Sequence, residues 1–176
     1  EKTVLRGSPC YLSDENTPVD SPAARDLAKR ALEYSPEKPL YVVAIGAITN
    51  VASALLMNPE IAQNIVIVWL GGHSVEFPHT KEFNMMQDYA AARVVFGCGA
   101  PVVMFPCKGV VDIFRTNEWE LKHWLQGKNE LCDYLIETVL DETYRYAKGK
   151  PWTRVVWDVT AISWLTDNGK FFKHRL

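Results

Sequence analysis

Leu40-Tyr41-Val42-Val43-Ala44-Ile45, closed by Gly46, decides the fold of this chain. The run is apolar throughout, too short for a helix, and ended by a glycine, so it predicts a strand buried on both faces. Thr49-Asn50 then opens a short apolar helix (Val51, Ala52, Ala54, Leu55) that Asn58-Pro59 ends. Ile65 to Leu70 repeats the strand pattern before Gly71-Gly72, and Pro101 to Phe105 repeats it again. Between them Asp88 caps a helical run through Ala91, Val94, Val95 and Phe96 to Gly97. Strand, helix, strand, helix, strand predicts an α/β fold, a mainly parallel sheet flanked by helices on both faces.

Outside this centre, Ser21-Pro22 followed by Leu27, Ala28, Ala31 and Leu32 predicts a capped amphipathic helix. Further helices are predicted from Glu118 to Leu125 and from Leu131 to Lys148. A last strand at Arg154 to Trp157 is expected to lead through Asp158 into a helix at Ala161, Ile162, Trp164 and Leu165. With 176 residues the chain can bury one sizeable core, so residues 1–176 are expected to form a single domain.

Composition narrows the function classes. Apolar residues make up 48% and the net charge is −2, with no basic stripe, which argues against nucleic acid. No segment reaches the length of a membrane span. Cys10, Cys98, Cys107 and Cys132 are far apart and show no zinc spacing; buried free thiols in a reducing, cytoplasmic setting are expected.

Chemistry concentrates after the strands, where parallel sheets bind ligands. Glu82 and Asn84 are two apart, and on an extended backbone both side chains would leave on one face. A carboxylate beside an amide can grip neighbouring hydroxyls, as sugar recognition requires; plain loop polarity is the other reading. Asp158 is either a helix cap or a ligand at the sheet rim. His73, His79 and Lys81 lie in the polar loop before Glu82, where a histidine either contacts substrate or is simply solvated.

Four ordered pieces carry a resemblance: Ile45-Gly46-Ala47-Ile48-Thr49-Asn50, Leu70-Gly71-Gly72, Glu82-Phe83-Asn84, and Trp157-Asp158 with Ala161. In order and spacing the chain resembles the calcium-dependent nucleoside hydrolases, the inosine–uridine-preferring N-ribohydrolases. The resemblance implies that the Ile45 carbonyl and the Asp158 carboxylate bind calcium, and that Asp158 also touches ribose hydroxyls. It implies that Glu82 and Asn84 hold the ribose and that Leu70 packs against the sugar. His79 falls where the family closes over its substrate. Such a metal would activate water for attack on the anomeric carbon of a ribonucleoside.

Two departures qualify this. The family's opening aspartate cluster, D-x-D-x-x-x-D-D, has no counterpart, since Asp14 and Asp20 lie in a Pro/Ser/Asn-rich stretch. The chain therefore resembles a C-terminal portion of the fold, expected to bind calcium weakly or not at all and not to catalyse alone. The catalytic base is then expected outside it. A missing first strand would leave an apolar edge that invites association between copies. Trp157 stands where pyrimidine-accepting relatives carry histidine; an indole can stack on a purine, which implies a purine leaning, or can serve as a core aromatic. Two alternatives stand beside the hydrolase: a non-catalytic relative that binds a nucleoside or sugar, and a fragment active only with its N-terminal part.

Overall fold

The computed structural model describes residues 3–167 and 169–173, so both ends of the expected 1–176 unit lie outside it. In chain order the elements are α1 (Pro22–Arg30), β1 (Leu40–Ala44), α2 (Thr49–Met57), β2 (Ile65–Leu70), α3 (Phe83–Gln87), α4 (Tyr89–Gly97) and β3 (Val102–Phe105). They are followed by β4 (Arg115–Thr116), α5 (Glu118–Leu125), α6 (Glu130–Ala147), β5 (Arg154–Val155) and α7 (Val159–Thr166). The chain divides into two compact units, Glu1–Val110 with Asp158–Leu176, and Val111–Trp157.

The first unit is built on a three-stranded sheet with β2 in the middle. Both pairings are parallel, Leu40 opposite Ile65 and Ile67 opposite Val102. Period-two alternation sends Leu40, Val42, Ala44, Ile65, Ile67, Trp69, Val102 and Met104 to one face. There they join Ala28, Ala31, Val51, Ala52, Leu55, Ala91, Ala92 and Val95 from α1, α2 and α4 in one core. On the other face the Tyr41 ring meets Trp164 of α7 at 6.3 Å, and Phe105 meets Phe172 edge-on at 5.5 Å. Helices therefore cover both faces, as the apolar strands require. Among the described residues, β1 and β3 each pair along one edge only.

Among the described residues, the segment before α1 forms no helix or strand, yet buried and half-buried side chains tie it down. Leu12 donates its N–H to Asp88 (3.0 Å), Val19 to the Ser53 hydroxyl (3.1 Å), and Ser8 to the Asn50 side-chain oxygen (2.8 Å). The Ser8 and Ser21 hydroxyls donate to that same oxygen at 2.9 and 3.1 Å. Thr49 and Asn50 thus do not cap α2; Ile48 occupies the cap position without a side-chain bond, and both polar side chains are spent on long-range partners.

Asp88 has the densest set of these partners. It is 3% exposed and caps α4 through the Ala91 N–H (2.9 Å), while its second oxygen takes the Leu12 N–H and the Thr49 hydroxyl (2.6 Å). A charged acceptor makes each such bond stronger than a neutral one.

In the second unit, Asn117 and Asn129 cap α5 and α6 through the N–H groups of Glu120 and Cys132. The strand expected at Arg154 to Trp157 shortens to β5, and it does not join the parallel sheet. It pairs antiparallel with β4, Arg115 opposite Val155. A two-residue strand has too few ladder bonds to declare its partner in sequence. None of the four cysteines is in a disulfide; Cys107 is buried, Cys98 and Cys132 are half-buried, and Cys10 is exposed, so expected burial holds for Cys107 alone.

Asp88→Ala should lower the unfolding free energy by about 3 kcal/mol, a lost cap plus two unpaired donors. Asp20→Ala, which breaks an exposed pair with Arg25, should cost under about 1 kcal/mol. Urea titration of both variants checks the contrast, and equal losses would show that the Asp88 bonds contribute little.

Candidate functional site at the carboxyl ends of β1 and β2

Glu82 and Asn84 do not lie on extended backbone. Glu82 is the N-cap of α3, and its side chain accepts the N–H groups of Asn84 and Met85, each at 3.0 Å. It also accepts the Gly72 N–H at 2.8 Å, joining the turn after β2 to the first turn of α3. Oε2 takes three of these bonds, and Oε1 shares the Asn84 N–H. A five-residue helix gains little from its own ladder, so this carboxylate sets where α3 begins.

Gly72 makes the arrangement possible. Its φ of +74° lies in the left-handed region, and a Cβ there would meet the methyl carbons of Met104 and Met85 at 2.6 and 2.7 Å.

Asn84 then faces the strand ends. Its amide donates to the Leu70 carbonyl at 2.8 Å and more weakly to the Ile45 carbonyl at 3.4 Å. Trp69 adds a third link, its indole N–H reaching the Gly46 carbonyl at 3.0 Å. Five expected or adjacent residues, Ile45, Leu70, Gly72, Glu82 and Asn84, are thereby gathered where β1 and β2 end. Leu70 is 1% exposed and joins this cluster through its carbonyl oxygen rather than its side chain.

Asp158 precedes α7 in helical conformation, and its side chain makes no capping bond. The carboxyl is exposed, but partial desolvation pushes it above the ordinary aspartate value. Trp157 is half-buried and belongs to the second unit.

His79 sits in a ring cluster on the exposed loop. Its ring lies 5.5 Å from His73 and 5.2 Å from Phe77, and His73 lies 4.6 Å from Phe77. His79 accepts the Lys81 N–H at Nδ1, and His73 accepts the Lys108 N–H at Nδ1. Nothing in the sequence pattern announced this stack, nor the Trp69 and Thr49 bonds, because each joins residues that are not neighbours on a predicted face.

Calcium takes about six to eight oxygen ligands. Asp158 and the Ile45 carbonyl would offer one carboxylate and one carbonyl, and the Glu82 carboxylate is already engaged by backbone N–H groups. Among the described residues no group of three or more His, Cys, Asp or Glu side chains is assembled for a metal. Among the described residues the donor set does not fit a resident calcium ion by itself. Calorimetric titration with calcium should give a dissociation constant weaker than about 1 µM, the range of dedicated sensor sites; tighter binding would reveal ligands other than these.

Comparison with known proteins completes the picture. The family model described as inosine-uridine preferring nucleoside hydrolase matches residues 5–176. The chain is 42% identical over 152 residues to the pyrimidine-specific ribonucleoside hydrolase RihA of Citrobacter koseri, covering 81% of this chain and 46% of that protein. It is 30% identical over 145 residues to the probable uridine nucleosidase 2 of Arabidopsis thaliana, covering 77% of this chain and 44% of that protein. A non-specific ribonucleoside hydrolase RihC of Salmonella newport is 35% identical over 97 residues, 53% of this chain and 31% of the relative. The chain spans about half the length or less of these curated relatives. With its parallel sheet and the gathered strand-end residues, it belongs to the inosine-uridine preferring nucleoside hydrolase family.

Proposed function

We propose that the complete protein hydrolyses the N-glycosidic bond of a ribonucleoside, and that this chain supplies its ribose-holding side. The observation that carries the reading is the gathering of Glu82, Asn84 and the Ile45 and Leu70 carbonyls at the carboxyl ends of β1 and β2, in a chain of this family.

Each residue has a role suited to its chemistry. The Asp158 carboxylate accepts the ribose 2′- and 3′-hydroxyls, and its charge steadies the positive ring of an oxocarbenium-like transition state. Glu82 Oε1, the less engaged of its two oxygens, accepts a further ribose hydroxyl. Asn84 holds the two strand ends in place beneath the sugar, and His79 approaches from the loop. In the complete protein Asp158 and the Ile45 carbonyl contribute to a calcium site whose other ligands come from elsewhere.

Base preference divides two readings. Trp157 favours a purine, since an indole stacks on a base but cannot protonate a leaving pyrimidine. RihA and the uridine nucleosidase carry pyrimidine names, and they favour the opposite preference.

The test uses the full-length protein. Ribose release should be seen with inosine or uridine, and the ratio of their kcat/KM values decides the preference. Asp158→Asn should lower kcat/KM by about 100-fold or more. Nucleoside binding without any ribose release would replace the hydrolase with a non-catalytic binding relative.

A further inference from the structure

We infer that Asp88 is a positioning residue for the strand-end cluster, acting through the Thr49 hydroxyl. The inference rests on the ribose-holding role proposed above.

The geometry is that of a short helix held between two buried carboxylates. Glu82, 6% exposed, fixes the start of α3 to the turn after β2 through Gly72. Asp88, 3% exposed, follows directly on its last residue, with its own N–H on the Met85 carbonyl. From there its carboxylate reaches three ways: to the start of α4 through Ala91, to the leading segment through Leu12, and to the first residue of α2 through Thr49. Thr49 is 4% exposed and stands four positions after Ile45.

The turn from Ile45 to Ile48 therefore has anchors on both sides. Trp69 holds Gly46 from β2, and Asp88 holds Thr49 from the α3–α4 junction. The contact between Asn84 and the Ile45 carbonyl is long, 3.4 Å, and too weak to set the spacing alone. The Asp88–Thr49 bond, buried, charge-assisted and 2.6 Å long, is strong enough to do so. Moving the turn would shift the Ile45 carbonyl relative to Asn84, and displacements of about 1 Å at such groups can cost about 100-fold in rate.

Thr49→Val removes the hydroxyl while keeping the side-chain shape, and Thr49→Ser keeps the hydroxyl. In the full-length protein, Thr49→Val and Asp88→Asn should each lower kcat/KM about tenfold, mainly through kcat. The double variant should lose little more than either alone, and Thr49→Ser should restore most of the rate. The second readout is independent of turnover. In the amide NMR spectrum, Thr49→Val should shift the Asn84 side-chain NH2 and Gly46 signals while leaving those of β3 in place.

A folded Thr49→Val protein with unchanged Asn84 signals overturns the inference, whatever its activity. Wild-type kinetics in that variant would overturn it equally. A wild-type protein that releases no ribose counts against the hydrolase reading instead, and the NMR result then still decides the role of Asp88.

Discussion

The carboxylate of Asp88 is the constraint on which the rest of the first unit depends. Nine-tenths and more of it is out of water, a placement that costs several kcal/mol unless every lone pair finds a donor. Its donors come from the leading segment, α2 and α4, so one group ties three elements together. Apolar contacts have no direction, whereas three charge-assisted bonds to one group fix relative angles. Glu82 does the same on a smaller scale for the turn after β2. Two buried acids, each satisfied by N–H or O–H donors, thus bracket α3 beside the strand-end cluster.

This arrangement also shows how the proposed ribose-holding side can be spare in polar side chains. Backbone carbonyls at Ile45 and Leu70 already face the carboxyl end of the sheet by topology. Asn84 needs only to tie them together, and Asp158 stands at the start of α7 with its carboxylate uncommitted to a cap.

The sheet was legible because β1, β2 and β3 are short apolar runs, closed by glycine after β1 and β2 and flanked by proline at β3, and burial on both faces removes the ambiguity of alternation. The α4 cap at Asp88 was legible too, since aspartate before an apolar run is a local signal. The helical state of Glu82-Phe83-Asn84 was not. Glutamate is a weak N-cap by statistics, and α3 exists because Gly72 lends a donor from a residue ten positions away. The partners of Asp88 lie 76 and 39 positions off, beyond any pattern of period two or 3.6. Likewise the two-residue β5 carries no sign of its antiparallel partner β4, since Arg154 and Val155 are too few to show a pattern. Residues that close long loops through side chains stay hidden until the fold brings them together.

The span of those bonds also orders the assembly of the chain. The parallel pairs β1–β2 and β2–β3 join residues 25 and 35 positions apart, Leu40 with Ile65 and Ile67 with Val102. The Leu12–Asp88 bond must bridge 76 positions, and its entropic toll is larger and its reward is a single contact. Loop-closure entropy therefore favours sheet and helices forming before the leading segment closes over them as a clasp. A clasp of this kind opens before the body it fastens: hydrogen exchange at Leu12 should run through local release, at a free energy below that of global unfolding.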